Sequence, residues 1–444
     1  MEKSIDKIIP EFYYKYGKYV NTEKMIPYYK DGLLPVHRRI LLGTYDIAKN
    51  NWAKTRNVIG QVVGHYHPHN LDKGPFTWAV QNGFLDGKGS WGSNVGKESI
   101  EAAADRYTNI KMNNETFNLA FKYIKHAEWQ MGELGYEEPK FLPTMLPFCL
   151  MTNSELVTIA FGFKPQIPCY NKKDLINRLL YLLKIKKDKV IIKPFINNCD
   201  ILSPDKDSEN LLTKGSSKLE IIGKYKIDKQ KMCIHIYSWN PRISYETLEK
   251  RIDNYKGWKL ISNGDIGSND DSTNHTDIRF EILRGRNKEL FFDKMVESIT
   301  ETLKSNISYE IIVVDDNGDV TFSSVDKLLV QSFTSFCEIF LKYLKFEINR
   351  IEDEIKELNI IAKIKPYIST ATVSLITDNI YETLSELTGL DKDKIKLVCE
   401  KYKINKLLYL NTDNKELKNK KKELEDKLIN IKRECINMYL EMLK

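Results

Sequence analysis

The sequence predicts a multidomain α+β protein with a helix-turn-helix region, a mixed α/β region and an antiparallel pair of long helices. Three observations lead to this fold class. The 444 residues suffice for roughly two to four domains of about 100–200 residues each. Two short amphipathic patterns follow each other within residues 35–64. Two heptad runs of equal length lie within residues 337–442.

The helix-turn-helix region begins at Pro35, because proline is favoured at the first position of a helix. The apolar face of that helix consists of Val36, Ile40, Leu41, Thr44, Ile47 and Ala48. A second helix is predicted over residues 55–64, with these residues turned inward: Val58, Ile59, Val62 and Val63. A polar turn at residues 49–51 joins the helices, which makes the pair a candidate for DNA binding.

The middle region, residues 165–330, is predicted to be mixed α/β and to serve as a scaffold. Strand-like alternation occurs at residues 218–227, 232–239 and 309–314. The polar stretches 263–274 and 315–319 are predicted to be surface turns or loops.

The two heptad runs predict an antiparallel helical hairpin. The first run is Cys337, Leu341, Leu344, Ile348, Ile351, Ile355, Leu358 and Ala362. The second is Leu417, Lys421, Leu424, Leu428, Ile431, Cys435, Met438 and Met442. Each corresponds to roughly 38 Å of helix. Pro366 is predicted to end the first helix and to begin a small globular tip that extends to Asn411. A long arm supports itself poorly as a monomer, so we expect the tip to dimerise; a hairpin folded back on the body of its own chain is the alternative.

Composition excludes several classes of protein. Hydrophobic residues account for 42% and charged residues for 29% of the chain, which is typical of water-soluble globular proteins. The charged N-terminus and the lack of a long apolar window argue against secreted and membrane proteins. The seven cysteines are scattered without a spacing suited to zinc, so we expect reduced thiols in a cytoplasm. A net charge of +7 permits a nucleic-acid partner.

Three basic residues, His37, Arg38 and Arg39, fall in the first turn of the helix that begins at Pro35. Cations at a helix N-terminus oppose the macrodipole, so their presence suggests a nearby anion such as a phosphate. A solvated basic patch is the alternative.

The segment HYHPH places His65, His67 and His69 at alternate positions, where an extended backbone would turn all three imidazoles the same way. A metal site, phosphate contact, general acid/base chemistry and a purely structural role all remain open. The Gly-rich segment at residues 87–92 matches G-x-G-x-x-G but lacks a βαβ context, and the chain contains no P-loop sequence for ATP.

Residues 99–108 are predicted to form an alanine-rich helix that delivers Arg106 and Tyr107 at or beyond its end. A tyrosine with an ordinary pKa near 10 needs roughly 4 kcal/mol to ionise at pH 7. An adjacent guanidinium lowers that requirement and can hold a phosphate oxygen.

Taken together, these segments resemble the breakage-reunion subunits of type IIA DNA topoisomerases. The matching motifs are DGLLPVHRRIL (31–41), VVGHYHPH (62–69), DGKGSWGS (86–93), AAADRYTNIKM (102–112), FLPTMLP (141–147) and TIAFGF (158–163) with Ile167-Pro168. Within that family the short chain is most similar to the medium subunits of T-even bacteriophage topoisomerases, which would place it in a host cytoplasm.

The resemblance implies a role for each candidate site residue. Tyr107 would attack the DNA backbone, Arg106 would stabilise the phosphate charge, and His69 would assist at the scissile phosphate. Lys24 stands where the family has a further active-site arginine; lysine keeps the charge and loses the bidentate fork. DNA contacts are implied for His37, Arg38, Arg39 and His67, and a wedge between base pairs for Ile159.

The resemblance also implies an architecture and partners. It comprises a winged-helix DNA-cleavage domain (1–150), a tower (151–330), a coiled-coil arm (331–365 and 412–444) and a dimerising C-gate (366–411). Mg²⁺ and ATP would be bound mainly by a partner subunit with ATPase and Toprim segments.

The expected activity is transient cleavage of both DNA strands for the passage of a second duplex. Because no wrapping domain follows the second heptad run, we expect relaxation and decatenation without negative supercoiling. A non-catalytic architectural DNA-binding protein and a tyrosine-dependent nuclease that never religates are the alternatives.

Overall fold

The computed structural model describes residues 5–92, 101–196, 199–253, 258–266, 275–282, 288–369 and 379–444. The chain divides into two compact units, Met1–Phe336 with Tyr439–Lys444, and Cys337–Met438. None of the helices in the described part of the chain combines the length and apolar character that crossing a membrane requires. The finer predicted boundaries at residues 150, 330, 365 and 411 stay predictions.

The N-terminal part of the larger unit contains four helices and a small sheet. The helices are α1 (Ile5–Val20), α2 (Pro35–Ala48), α3 (Thr55–His65) and α4 (Gly74–Gln81), with a π-helical turn at Asn21–Met25 after α1. The strands are β1 (Ala53–Lys54), β2 (Leu85–Lys88) and β3 (Asn109–Met112), which form an antiparallel sheet in the order β1-β3-β2. The predicted starts of both helices, Pro35 and Thr55, are confirmed.

The predicted inward faces of α2 and α3 need correction at two positions. Ile47 and Val63, which were predicted to face inward, are exposed. Leu42, which was not part of the predicted apolar face of α2, is buried. Because α2 packs against α3, α4 and β3, neighbours cover it on more than one side, so a single apolar stripe does not describe its buried surface.

Short elements lead from this sheet into the middle of the chain. They are α5 (Asn114–Thr116), a π-helical turn (Phe117–Phe121), 3₁₀ turns at Ile124–His126 and Phe148–Leu150, the hairpin β4 (Trp129–Met131) and β5 (Glu137–Pro139), and the hairpin β6 (Leu156–Val157) and β7 (Gln166–Ile167).

The middle region alternates helices and strands, as predicted. Its helices are α6 (Lys172–Leu182), α7 (Asp205–Lys214), α8 (Tyr245–Asp253) and α9 (Lys288–Leu303). Its strands are β8 (Asp200–Ile201), β9 (Ser216–Ile222), β10 (Tyr225–Asp228), β11 (Cys233–Ile236), β12 (Trp258–Ile266), β13 (His275–Ile282), β14 (Lys304–Glu310), β15 (Ile312–Val314) and β16 (Val320–Phe322). They form a five-stranded sheet (β6-β7-β14-β9-β8), a four-stranded sheet (β10-β11-β13-β12) and the pair β15-β16.

Two predictions in this region were wrong in detail. The strand expected over residues 218–227 is interrupted at Gly223, and β9 and β10 belong to different sheets. A Cβ at Gly223 would lie 2.0 Å from the carbonyl oxygen of Ser238. Only glycine therefore fits where these two backbone segments approach each other so closely. The polar stretch 263–274 was expected to be a loop, but residues 263–266 pair with β13; its remainder lies outside the described residues.

The smaller unit contains most of α10 (Val325–Ser369), together with α11 (Ile380–Thr388), α12 (Lys392–Tyr402), a 3₁₀ turn (Ile404–Tyr409), α13 (Lys415–Ile429) and the larger part of α14 (Ile431–Glu441). Three contacts show that its long helices run antiparallel. Asn414 donates to Asn359 (2.8 Å), Lys421 pairs with Glu352 (2.8 Å), and the thiols of Cys435 and Cys337 are hydrogen-bonded.

The details of this helical pair correct three predictions. Pro366 does not end α10, which continues for three more residues to Ser369; the proline removes only its own N–H donor, and the helix tolerates this loss. The first heptad register slips at its end, where Ala362 is exposed and Ile361 is buried. The second run is divided at Asn430, which separates α13 from α14.

A separate hydrophobic core lies at the tip between the long helices. It consists of Ile361, Ile364, Ile368, Ile380, Leu384, Ile395, Val398, Cys399 and Leu407. Residues from α10, α11, α12 and the following 3₁₀ turn thus pack together, as expected for the predicted globular tip.

Candidate active site

Arg106 and Tyr107 lie in a turn immediately before β3. The Tyr107 side chain is 64% exposed, and the Arg106 guanidinium carbon lies 4.7 Å from the centre of its ring. The expected helix is absent over the described residues 101–104, which are irregular, because their backbone bonds elsewhere: Ala103 N–H donates to the carbonyl oxygen of Ser90 (2.9 Å). The pair is therefore delivered by a turn.

The start of α3 holds this turn in place. The backbone N–H of Thr55 donates to the carbonyl oxygen of Thr108 (3.1 Å), and the two threonine hydroxyls lie 2.7 Å apart in a buried position. Arg56 pairs with Asp105 at 3.3 Å. These contacts fix the backbone on both sides of Tyr107 while its side chain stays open to solvent.

The HYHPH segment does not turn its three imidazoles the same way. His65 is the last residue of α3, and its Nδ1 lies 3.0 Å from the carbonyl oxygen of Gln61. Since the chain leaves the helix only after His65, the extended geometry assumed from sequence applies to His67 and His69 alone. Their rings meet edge to face at 5.6 Å.

Side chains from three other segments complete a group that we call the histidine cluster: Tyr19, Lys24, Arg39, His67 and His69. The Tyr19 hydroxyl lies 3.2 Å from His69 Nε2 and donates to Glu133 at 3.3 Å. Lys24 Nζ lies 5.3 Å from the centre of the Tyr19 ring. The end of α1, the following π-helical turn, α2 and the segment after α3 thus converge.

The electrostatics of the cluster keep His67 neutral. Burial lowers the pKa of His67 to about 4, and the positive charges of Arg39 and Lys24 act in the same direction. Its Nδ1 is buried without a hydrogen-bond partner among the described residues. At neutral pH His67 therefore offers an uncharged ring beside two cations.

The basic run at the start of α2 has internal partners, and the predicted DNA contacts of His37, Arg38 and Arg39 stay predictions. Arg38 contacts the carboxylate of Asp31 through two nitrogens (2.7 and 3.2 Å), and Arg39 contacts Glu138 in the same way (2.8 and 2.9 Å). Burial alone would lower the pKa of each guanidinium, but the carboxylates raise it. His37 stacks on Trp78 at 3.6 Å, and burial lowers its pKa to about 3. All three side chains are buried.

Asp31 is placed by a turn that requires glycine. Gly32 has φ +68°, and a Cβ there would lie 2.7 Å from the sulfur of Cys149. The fully buried carboxylate of Asp31 also accepts hydrogen bonds from the backbone of Leu33 and Leu142, each at 3.0 Å. The DGLLPVHRR motif is thus a scaffold that fixes the start of α2.

Ile159 lies at the tip of the β6–β7 hairpin, and its side chain is 76% exposed. The hairpin itself is anchored: Asn21 exchanges two hydrogen bonds with the backbone of Phe161 (2.7 and 3.0 Å), and Thr158 donates to the carbonyl oxygen of Met25 (2.6 Å). The Phe161 ring packs against Tyr13 on α1 at 5.6 Å. An apolar side chain therefore projects from a braced support.

The predicted site residues form two groups. Lys24, His67 and His69 belong to the histidine cluster, whereas Arg106 and Tyr107 form their own pair; within the described part of the chain, no hydrogen bond, ion pair or ring contact joins them. The G-x-G-x-x-G segment begins in β2 of an antiparallel sheet, which excludes the dinucleotide-binding context.

Sequence reasoning missed four residues that shape the site: Tyr19, Asp31, Trp78 and Glu138. Asp31 lies seven positions before Arg38 in the same motif, so a short-range ion pair was a signal that the sequence contained. Glu138 lies 99 positions from Arg39, and nothing local connects them.

The exposed Arg-Tyr pair and the buried DGLLP turn both lie within the part of the chain that a protein-family model matches. The chain belongs to the family formed by the A subunits of DNA gyrase and topoisomerase IV, whose model matches residues 24–444.

Individual relatives agree with this membership. The DNA gyrase A subunit of Neisseria gonorrhoeae is 32% identical over 204 residues, which is 42% of this chain and 21% of that protein. The DNA gyrase A subunit of Buchnera aphidicola (subsp. Baizongia pistaciae) is 26% identical over 377 residues, or 79% of this chain and 43% of the relative. The DNA topoisomerase 4 A subunit of Pseudomonas aeruginosa is 23% identical over 341 residues, or 70% and 42%. The matched segment thus spans less than half of each of these relatives.

Proposed function

We propose that this chain is the DNA breakage-reunion subunit of an ATP-dependent type IIA topoisomerase. Family membership supports the proposal, and one observation of the site carries it. Tyr107 is exposed beside the Arg106 guanidinium on a turn whose backbone is fixed by Thr55. A nucleophile needs this combination of access, an adjacent positive charge and a rigid support.

The proposed step is an exchange of esters. The Tyr107 hydroxyl oxygen attacks a backbone phosphorus, a P–O bond to Tyr107 forms, and the P–O bond to the 3′-oxygen breaks. The phenolic proton leaves to a base or water, and the 3′-oxygen is protonated to a hydroxyl. The product is a 5′-phosphotyrosyl link, and because one ester replaces another, rejoining needs no external energy. Arg106 stabilises the negative charge that develops on the phosphate.

Within the histidine cluster, Lys24, His67 and His69 are proposed to hold the DNA phosphates. Lys24 supplies a point charge, and His69 is oriented by the Tyr19 hydroxyl at 3.2 Å. His67, neutral because of its lowered pKa, contributes a hydrogen bond without adding charge. His37, Arg38 and Arg39 support this surface, since the neutral His37 ring stacks on Trp78 and the two guanidinium groups are paired with internal carboxylates.

Ile159 is proposed to insert between base pairs and bend the duplex. An intercalating side chain must be apolar and exposed, and its backbone must be held in place. Unstacking a base step costs a few kcal/mol, and a mobile hairpin would move away instead of separating the bases. The anchoring of the hairpin through Asn21 and Thr158 supports this role.

Mg²⁺ and ATP are proposed to be bound mainly by a partner subunit with Toprim and ATPase segments. The carboxylate next to Tyr107, Asp105, is already paired with Arg56, and one paired carboxylate does not suffice for a divalent ion. When bound, Mg²⁺ supplies Lewis acidity to phosphoryl transfer.

The architecture of the family is part of the proposal. Helices α2 and α3 with the β1-β3-β2 sheet would form the winged-helix domain, the sheets of the middle region the tower, and the antiparallel helices the coiled-coil arm. The tip core would support a dimerising C-gate. The proposed placement within the family remains that of a bacteriophage-type protein in a host cytoplasm.

Reconstitution with the partner subunit tests the function. We expect the purified chain to bind duplex DNA but to relax no plasmid with Mg²⁺ and ATP until the partner is added. The complex should relax supercoiled plasmid and decatenate circles. Relaxation by the isolated chain would contradict the division of labour.

Covalent trapping separates the alternatives. An architectural protein gives no adduct, and a nuclease gives breaks that persist when salt or a chelator is added. A topoisomerase gives an adduct that reverses to intact DNA under those conditions.

A further inference from the structure

The hairpin of β10 and β11 brings three potential metal ligands together, far along the chain from Tyr107 and the histidine cluster. Asp228 stands directly opposite Cys233 in the antiparallel register, and His235 follows Cys233 by two positions on the same strand. Opposed residues and alternate residues lie on the same face of a sheet. The three side chains therefore share one face.

The ligand atoms are close enough to share one ion. Cys233 Sγ and His235 Nε2 lie 3.5 Å apart, and all three ligand atoms lie within 4.8 Å of one another. A thiolate and an imidazole bound to tetrahedral Zn²⁺, at about 2.3 and 2.1 Å, lie about 3.6 Å apart. One edge of the tetrahedron thus already has its required length, and the carboxylate oxygen of Asp228 lies within 4.8 Å of both other ligand atoms.

The rest of the hairpin holds these groups in place. Ile234 and Ile236 alternate with Cys233 and His235 along β11, and both are fully buried in a core with residues of α8 and α9, which fixes the opposite face of the strand. Cys233 is buried, whereas Asp228 and His235 are half-buried, so an ion has a route from solvent to the cluster. The backbone N–H of Lys231 donates to Asp228 Oδ1 (3.0 Å) and orients the carboxylate, as supporting hydrogen bonds do in metal sites.

We propose that Asp228, Cys233 and His235 form a Zn²⁺ site with a fourth position open to water. The combination of a thiolate, an imidazole and a carboxylate is suited to zinc, because Mg²⁺ and Ca²⁺ prefer oxygen ligands only. Binding displaces the thiol proton of Cys233 to solvent. The bound ion clamps β10 to β11 and stabilises the four-stranded sheet. The sequence signal for this site is a Cys-x-His pattern within a predicted strand. It is not apparent from the spacing of the cysteines alone.

Cobalt is the probe, because Co²⁺ bound to a thiolate has a charge-transfer absorption that histidine-only sites lack. We expect the metal-free full chain to show this absorption at one Co²⁺ per chain and to lose it when Zn²⁺ is added. Cys233→Ser should abolish the band, and His235→Gln should weaken Co²⁺ binding at least about tenfold. Cys199→Ser is the matched control, since Cys199 is a thiol of the same region outside the cluster.

Absence of the band in the wild-type chain, or an undiminished band in Cys233→Ser, overturns the proposal. Should Cys233→Ser fail to fold by circular dichroism, His235→Gln carries the test, and an unchanged Co²⁺ affinity there contradicts the site. Zn²⁺ should also raise the melting temperature of the wild-type chain and not that of His235→Gln. None of these readouts requires DNA cleavage, so they are independent of the proposed function.

Discussion

Two basic segments that look alike in the sequence have opposite fates in the fold. The segment at the start of α2 carries His37, Arg38 and Arg39, and all three side chains are buried against Trp78, Asp31 and Glu138. The turn before β3 carries Arg106 and Tyr107, which are exposed and contact each other.

The difference shows how burial divides positive charges between structure and chemistry. A buried guanidinium must be paired, because an unpaired charge in a low dielectric is unfavourable by several kcal/mol. Its partners are then internal carboxylates, and it is no longer free to bind a phosphate bidentately. An exposed guanidinium held by an aromatic ring keeps its donors available. Under the proposed function, the guanidinium that acts on the phosphate is therefore the exposed one, Arg106.

The largest effect on stability should come from breaking the buried pair at Asp31. Asp31→Ala leaves Arg38 buried without its carboxylate and removes the acceptor for two backbone N–H groups, so we expect a loss of about 3–5 kcal/mol of unfolding free energy. Urea titration measures it. Asp293→Ala, at an exposed position of α9, is the control and should stay within about 0.5 kcal/mol of wild type. A loss below about 1 kcal/mol for Asp31→Ala would mean that the buried segment is not the scaffold of the site.

Substitutions in the exposed pair, Arg106 and Tyr107, should change the rate of DNA cleavage and leave the unfolding free energy almost unchanged. We expect Arg106→Ala to slow single-turnover cleavage by about 10²–10³-fold, because the charge beside the reacting phosphate is lost. Lys24→Ala should slow it less, since a point charge lacks the bidentate geometry of arginine. Arg106→Lys keeps the charge but loses the bidentate geometry of the guanidinium. Its cleavage rate should lie between those of wild type and Arg106→Ala. Wild-type cleavage by Arg106→Ala contradicts its assignment.

A smaller effect is expected at the hairpin tip. Ile159→Ala should reduce DNA bending, measured by energy transfer between the ends of a labelled duplex, and weaken binding about threefold to tenfold. Val157→Ala removes an exposed apolar side chain at the base of the same hairpin and is the matched control. If Ile159→Ala and Val157→Ala bend DNA equally, Ile159 does not act as a wedge between base pairs.

The smallest effect concerns the pH dependence of stability. Burial lowers the pKa of His37 to about 3 in the folded state, against about 6.5 when unfolded. The unfolded chain therefore binds a proton first as the pH falls, and stability present above pH ~6.5 is lost at up to about 1.4 kcal/mol per pH unit down to pH ~3. His37→Phe keeps a ring against Trp78 and should reduce this slope between about pH 6 and pH 4.5, while the lowered pKa of His67 still contributes in the same range.

Local patterns predicted the elements well, and distant partners decided the rest. Pro35 and the heptad residues located α2 and the long helices, because helix starts and apolar periodicity are local properties. The strand break at Gly223 depends on the approach of Ser238, and the neutral state of His67 depends on Arg39 and on burial. Such contacts join residues far apart in sequence, so no window of the sequence contains them.

The central claim is that Tyr107 is the nucleophile, and trapping with a single-atom change tests it most directly. The chain is mixed with its partner and labelled plasmid, the reaction is denatured during turnover, and the covalent adduct is quantified and mapped by mass spectrometry. Tyr107→Phe should bind DNA within about twofold of wild type and lose the adduct by at least about 10⁴-fold. Tyr14→Phe, which alters another exposed tyrosine, should retain it. A wild-type amount of adduct from Tyr107→Phe would place the nucleophile elsewhere and contradict the claim.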